Sequence, residues 1–166
     1  ESPFPMIRMA EEIDLIEELD FAVFARTSEQ LDGNNKLRVA VNLSGRTITS
    51  PDFIKRVTDL AKVKKSWAGR MMFELTESAT IDDLALADRH IQMLREHGCL
   101  VCLDDFGAGA ASLAYLQRLQ LDIVKIDGRY IRDLQQGSRE TGFVKQLVRM
   151  CAELNVKTLA EMVETE

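Results

Sequence analysis

The chain has 166 residues, of which 46% are hydrophobic and 29% are charged, and its formal net charge is −6. It has no continuous apolar run of the ~18 residues typical of a membrane span, so we expect one soluble domain without a membrane segment. The negative charge argues against a partner that is a nucleic-acid polymer, although one phosphorylated ligand could bind through metal ions. Three cysteines, an odd number, are typical of a reducing compartment. The composition therefore predicts a cytoplasmic domain, whose parent protein could still be membrane-anchored.

Helical and strand patterns alternate along the chain. We predict helices at about 5–26, 51–65, 81–97, 112–119 and 138–154, with N-caps at Ser50, Thr80 and Ser138 and a turn at Asp32–Asn35. We predict strands at about 37–44, 70–77, 99–104 and 122–127, and a fifth that begins at 156. Nearly continuous apolar strands are typical of strands buried on both faces, which are parallel. The pattern therefore predicts an α/β fold, a parallel βα repeat of about five strands with flanking helices, as a single domain over 1–166.

Each predicted strand ends in a polar residue. These residues are Asn42, Glu74, Asp104, Asp105, Lys125, Asp127 and Glu161. A single acid at a strand end is most often a turn residue or a helix cap. The carboxyl ends of parallel strands meet at one edge of the sheet, so seven polar residues there predict a site.

The residue types at these strand ends indicate metal chemistry. Carboxylate and amide oxygens, without a histidine or thiolate cluster, favour Mg²⁺ or Mn²⁺ over zinc. Asp104 and Asp105 are adjacent and repel each other, and a pair of divalent cations would offset that repulsion. Two ions ~3.5–4 Å apart can clamp a phosphodiester and activate water for in-line attack. Lys125 could orient that water or offset charge in the transition state.

The chain contains, in this order, the motifs VNLS, FELTES, DDFGAG, SLAYL, VKID and AEMVET. In order and approximate spacing these motifs resemble those of EAL domains, which hydrolyse the bacterial second messenger cyclic di-GMP. The opening segment, PFPMIRMAEEIDLI, resembles the family's first helix. The resemblance implies a modified TIM barrel and a signalling protein with further domains.

The resemblance also implies roles for individual residues. Asn42, Glu74, Asp104 and Asp105 would be ligands of two Mg²⁺ or Mn²⁺ ions. Lys125 would contact the catalytic water, and Glu161 would act as a ligand or as the general base. Glu77 would brace the loop after Asp105, and Asp127 and Glu164 are weaker candidates.

The sequence also departs from the family pattern. The E-A-L string is absent, and only five strands are predicted where a closed barrel has eight. We therefore expect a domain truncated at both ends, inactive on its own, whose open sheet edges favour a homodimer or other self-association. Ala110 and Ala111 stand where the family usually has an aromatic residue and a serine, and Met162 replaces a usual glycine.

Three functional classes are compatible with these residues. The first is a metal-dependent cyclic di-GMP phosphodiesterase, and the second is a degenerate EAL module that binds cyclic di-GMP or a protein without hydrolysis. The third is a receiver-like phospho-acceptor domain, which also uses paired acids and a lysine. The third is the weakest, because receivers have their acidic pair at the first strand and this chain has it at the third.

Two further features are interpreted as structural. Cys99 and Cys102 form a C-x-x-C with His97 just before it, but residues three apart on a strand face opposite sides. We therefore expect small buried cysteines, not a zinc or redox site. His90 is predicted to be a solvated surface residue.

Overall fold

The computed structural model of the chain describes residues 3–76, 80–107, 112–132 and 138–163. The strands are β1 (Val39–Leu43), β2 (Met71–Thr76), β3 (Leu100–Phe106), β4 (Ile123–Ile126) and β5 (Lys157–Ala160). The helices are α1 (Phe4–Glu12), α2 (Ile16–Gly33), α3 (Gly45–Ile48), α4 (Pro51–Val63), α5 (Leu84–Glu96), α6 (Ser112–Arg118), α7 (Gly128–Arg132) and α8 (Arg139–Glu153), with a short 3₁₀ turn at Lys65–Trp67. In the described ranges, no helix has both the length and the apolar character that crossing a membrane requires.

The five strands form one sheet in the order β1-β2-β3-β4-β5, and every neighbouring pair is parallel. This confirms the predicted parallel βα repeat. Each strand lies beside the one before it in the chain. Because all neighbouring strands are parallel, their carboxyl ends lie at one edge of the sheet. The register sets Asn42 opposite Glu74 and Thr76 opposite Asp104. The polar strand ends therefore share one edge of the sheet.

The helix-facing side of the sheet holds the hydrophobic core. An aromatic cluster lies between α2, α4 and β2, where Phe24 contacts Phe53, Trp67 and Phe73 with ring centroids 5.7–6.1 Å apart. Edge-to-face and tilted contacts of this kind add to the free energy gained by burial. The cluster fixes helices and sheet together beneath the strand ends.

Burial on both faces was expected of every strand, and this expectation is wrong for the two outer strands. Residues of β2 and β3 are mostly buried, but Ala40 and Asn42 on β1 and Leu159 on β5 are exposed on the face away from the helices. Among the residues that the structure describes, β1 and β5 each pair with one neighbouring strand. The backbone edges of β1 and β5, and their side chains on the face away from the helices, are therefore more exposed than those of β2 and β3.

The first predicted helix is in fact two helices, α1 and α2. The chain turns at Asp14, which has a left-handed φ of +63° and pairs with Arg46. Aspartate tolerates the left-handed conformation better than most residues, so the chain can turn between α1 and α2 at Asp14 without a glycine. α2 then runs to Gly33, into the segment predicted as a turn at Asp32–Asn35.

Two predictions on α5 are also wrong. Its N-cap is Asp83, not Thr80, because Asp83 Oδ1 accepts a hydrogen bond from the Leu86 N–H at 2.9 Å. His90 is buried, and its Nδ1 lies 2.7 Å from the carbonyl oxygen of Ile48. The reason is that His90 lies three residues after the buried Ala87, on the face that α3 covers.

Candidate functional site

An ion-pair network lies at the carboxyl edge of the sheet, centred on Lys125. Its Nζ lies 2.8 Å from Glu74 Oε1, 3.1 Å from Asp104 Oδ2 and 3.5 Å from Glu161 Oε1. The three acids come from β2, β3 and the residue after β5. The side chain of Lys125 is only 15% exposed and that of Glu74 9%. The structure therefore brings together four of the seven polar residues that the sequence places at strand ends.

The acidic surroundings determine the protonation of Lys125. Burial lowers the pKa of its ammonium group, but the hydrogen bonds to Glu74 and Asp104 and the negative charges of these two acids together raise the pKa by more, so it lies above its ordinary value. Lys125 is therefore charged at neutral pH. Its one positive charge faces three carboxylates, so the network has an excess of negative charge.

The pair Asp104–Asp105 lies on an irregular stretch of β3. The register with β4 shifts between Leu103 and Phe106, and Asp105 has a left-handed φ of +56°. The Asp105 N–H donates a hydrogen bond to Asp104 Oδ1 at 2.9 Å. In a regular strand these two neighbours would face opposite sides of the sheet, and a bulge re-aims one of them. The irregularity therefore allows both side chains to serve one site.

Three carboxylates converge at this bulge. Oxygens of Asp104, Asp105 and Glu161 all lie within 4.8 Å of one another. Burial, followed by the charges of Asp104 and Asp127, raises the pKa of Asp105. Burial and the charge of Asp104 likewise raise the pKa of Glu161.

The oxygen donors of these three carboxylates suit Mg²⁺ or Mn²⁺. A divalent cation among them would relieve the mutual repulsion that contributes to the raised pKa values of Asp105 and Glu161. The donor set fits the expected metal ions.

The chain after β5 is strained beside this cluster. Met162 follows Glu161 and has a left-handed φ of +53°, which is unfavourable for a methionine. Its side chain lies against Gly128, where an added Cβ would come within 2.6 Å of the Met162 sulfur. The glycine expected at position 162 from the family pattern would adopt this backbone conformation without strain.

Four further residues were predicted for the site, and they are Asn42, Glu77, Asp127 and Glu164. Asn42 lies opposite Glu74 in the sheet but is exposed. Asp127 is held by Arg129, whose Nε and Nη2 lie 2.9–3.1 Å from its oxygens, and this hydrogen bonding lowers the pKa of Asp127. Glu77 and Glu164, like Ala110 and Ala111, lie outside the residues that the structure describes.

Sequence reasoning missed two residues near the site. Arg129 holds Asp127, and its position two residues after an acid was the available signal. Tyr130 donates a hydrogen bond from its hydroxyl to the carbonyl oxygen of Gly107 at 2.9 Å. No local pattern indicated that contact, because it joins residues 23 positions apart.

The cysteines behave as predicted. Cys99 and Cys102 are buried and free, and burial raises the pKa of each thiol to about 12. Thiols that resist ionisation are poor nucleophiles and poor zinc ligands.

A parallel βα sheet with acids and one lysine at its carboxyl edge defines a class of α/β domains that bind ligands at strand ends. Comparison with known proteins identifies the family: the EAL domain model matches residues 1–166, and the chain belongs to the EAL family.

Three similar proteins illustrate the family. The cyclic di-GMP phosphodiesterase NbdA of Pseudomonas aeruginosa is 33% identical over 98% of this chain, and PdeF of Escherichia coli, also a cyclic di-GMP phosphodiesterase, is 31% identical over 99%. The chain spans only 22% and 23% of the lengths of these two relatives. The PaMucR phosphodiesterase, solved as its c-di-GMP complex, superimposes with a TM-score of 0.82 at 28% identity, over 99% of this chain and 74% of that one. EAL domains are of the TIM-barrel type, so the expected fold class is confirmed.

Proposed function

We propose that this domain hydrolyses a phosphodiester bond of cyclic di-GMP with two divalent cations, Mg²⁺ or Mn²⁺. The observation that carries the proposal is the convergence of Asp104, Asp105 and Glu161 beside Lys125 at the carboxyl edge of the sheet. Membership of the EAL family and its phosphodiesterase relatives support the choice of substrate.

The metal ligands are proposed from the same geometry. Asp104 and Asp105 would hold the ions, with Glu74, Asn42 and Glu161 as further oxygen donors. When bound, the ions would lower the pKa of a water molecule and offset charge on the phosphate. Asp104 would be one of the ligands, and hydrogen bonds from Lys125 and from the Asp105 N–H to its two oxygens hold its carboxylate in position.

Lys125 and Glu161 are proposed to act on the attacking water. Lys125 is charged, so it donates hydrogen bonds and cannot accept a proton; it orients the water and stabilises negative charge in the transition state. Glu161 has a raised pKa, which makes its carboxylate a better proton acceptor. Glu161 is therefore the candidate for the general base. Alternatively, it would be a metal ligand.

A hydrolysis assay tests the proposal. The gene product that carries this domain is incubated with cyclic di-GMP and Mn²⁺ or EDTA, and the linear dinucleotide is followed by chromatography. We expect product only with the metal and none from Asp104→Asn, while Asp59→Asn, an ion-paired acid on α4, keeps its activity. Nucleotide binding without hydrolysis in the unaltered protein would indicate the silent EAL module instead.

The cellular location of the domain and its neighbouring domains are part of the same proposal. We infer a cytoplasmic domain that works beside other signalling domains, since the curated relatives are four to five times longer than the aligned region. The 166 residues alone are expected to turn over slowly, because in the described part of the chain β1 and β5 each have one edge without a partner strand. Assaying the 166 residues against the whole gene product tests this expectation, and equal turnover would contradict it.

A further inference from the structure

We propose that Tyr130 is a positioning residue for the Asp104–Asp105 pair, an inference that rests on the proposed metal site. Tyr130 lies on α7, after β4, and its hydroxyl donates to the carbonyl oxygen of Gly107 at 2.9 Å. Gly107 is two residues beyond Asp105. The hydrogen bond therefore ties the end of the acid-bearing segment to a neighbouring helix.

The ring of Tyr130 makes a second contact with the same residue. A Cβ added to Gly107 would lie 2.4 Å from Tyr130 Cε2, and Gly107 has a φ of +98°. Only glycine lets the backbone lie this close to the ring in this conformation. The ring of Phe143 on α8 also lies near that of Tyr130, with centroids 5.5 Å apart and planes tilted by 31°. Tyr130 thus contacts both α8 and the Gly107 backbone.

The segment needs such an anchor because its own pairing is irregular. Asp105 is in the left-handed region, and the β3–β4 register shifts between Leu103 and Phe106, so the ladder constrains this stretch less than a regular strand. The Asp127 N–H reaches the Phe106 carbonyl oxygen at 3.3 Å, and the Tyr130 N–H reaches that of Asp127 at 3.0 Å. The chain just after β4 thus contacts two neighbouring residues: Asp127 bonds Phe106, and Tyr130 bonds Gly107.

Tyr130 does not need to touch metal or substrate to act in this way. Loss of the hydroxyl would let Gly107 move and would spread the directions of the Asp104 and Asp105 carboxylates. The expected loss of metal affinity is about fivefold, the factor that corresponds to about 1 kcal/mol for one neutral hydrogen bond.

The test compares Tyr130→Phe with Thr58→Val. Phenylalanine keeps the ring and removes only the hydroxyl. Thr58 is a buried threonine on α4 whose hydroxyl also donates to a backbone carbonyl, that of Lys55, at 3.1 Å, so it is the matched control. Mn²⁺ affinity is measured by titration calorimetry, thermal unfolding is measured in EDTA, and turnover is measured at limiting and saturating Mn²⁺.

We expect Tyr130→Phe to bind Mn²⁺ about fivefold more weakly, with turnover restored by saturating Mn²⁺. Thr58→Val should keep the original affinity although it loses similar thermal stability, which separates positioning from general destabilisation. Equal Mn²⁺ affinity of Tyr130→Phe and the unaltered protein would overturn this inference alone. Absence of Mn²⁺ binding in the unaltered protein would overturn the proposed metal site, and this inference with it.

Discussion

Lys125 reaches across one whole strand to pair with Glu74. Its Nζ lies 2.8 Å from Glu74 Oε1, although Lys125 is on β4, Glu74 is on β2, and β3 lies between them. The ammonium group therefore lies over β3, where it also contacts Asp104.

This geometry predicts the effect of Lys125→Met. We expect turnover to fall on the order of 10²-fold, because the variant loses the charge that orients the attacking water and stabilises the transition state. Binding of cyclic di-GMP should stay nearly unchanged, since the proposed partner of Lys125 is the water. Steady-state kinetics and nucleotide titration measure the two effects, with Lys55→Met on the surface of α4 as control. A loss of nucleotide affinity as large as the loss of turnover would make Lys125 a ligand contact instead.

The strain at Met162 predicts a reversed order of stabilities. At ordinary positions alanine is more stable than glycine by about 0.5–1 kcal/mol. At φ +53° the order should invert, with Met162→Gly more stable than Met162→Ala by about 1 kcal/mol, because alanine keeps the left-handed strain. Both variants remove the Met162 Cγ and sulfur from beside Gly128, and alanine keeps only the Cβ there, so their difference chiefly reports the backbone. Denaturant unfolding measures it, and the ordinary order would show that residue 162 is not strained.

The raised pKa of Asp105 predicts a pH-dependent stability in EDTA. An acid whose pKa is raised on folding favours the folded state when protonated, so its contribution is lost as pH rises above the unfolded value of 3.8. Asp105→Asn should therefore be more stable than the unaltered protein at pH 7, and asparagine also tolerates the left-handed backbone. The gain should stay below about 2–4 °C, the shift that 1 kcal/mol produces, because solvent screens the exposed part of the side chain.

Thermal melts between acid and neutral pH measure this difference, and it should vanish at the acid end. Asp59→Asn is the control of opposite sign, because hydrogen bonds from Lys55 and Lys62 lower the pKa of Asp59 to about 2. It should lose stability at neutral pH. An Asp105→Asn protein that is less stable than the unaltered protein at pH 7 would contradict the repulsion described here.

The open edge of β5 predicts self-association of the 166-residue chain. The Lys157 N–H donates to the carbonyl oxygen of Asp122, just before β4, and the Glu161 N–H donates to that of Ile126. The alternate N–H of Thr158 therefore faces the edge of β5 that has no partner strand among the described residues. We expect a concentration-dependent dimer in sedimentation experiments and less of it in Thr158→Pro, which blocks that edge. Lys157→Pro is the contrasting variant, since it removes the bond to the Asp122 carbonyl oxygen at 2.9 Å and should destabilise the fold. A chain that stays monomeric at high concentration would contradict the prediction.

The sequence predicted the parallel βα order because its signals are local. Ser50 and Ser138 cap helices as expected, with their hydroxyl oxygens accepting from Phe53 and Thr141. The rule for strand ends also brought Asp104, Lys125 and Glu161 together. Other features depend on tertiary contacts or on single dihedral angles, which no local pattern encodes. The burial of His90 depends on α3, and the shared aim of Asp104 and Asp105 depends on one left-handed residue in β3.

Calorimetric titration with Mn²⁺ shows whether Asp104, Asp105 and Glu161, whose oxygens converge, hold divalent metal as proposed. The unaltered protein should bind Mn²⁺, and Asp104→Asn should bind it more than about tenfold more weakly, because it removes the carboxylate that also contacts Lys125 and the Asp105 N–H. Asp59→Asn should bind as the unaltered protein does. Equal Mn²⁺ affinities of the unaltered protein and Asp104→Asn would show that Asp104 is not a metal ligand and would overturn the proposed site.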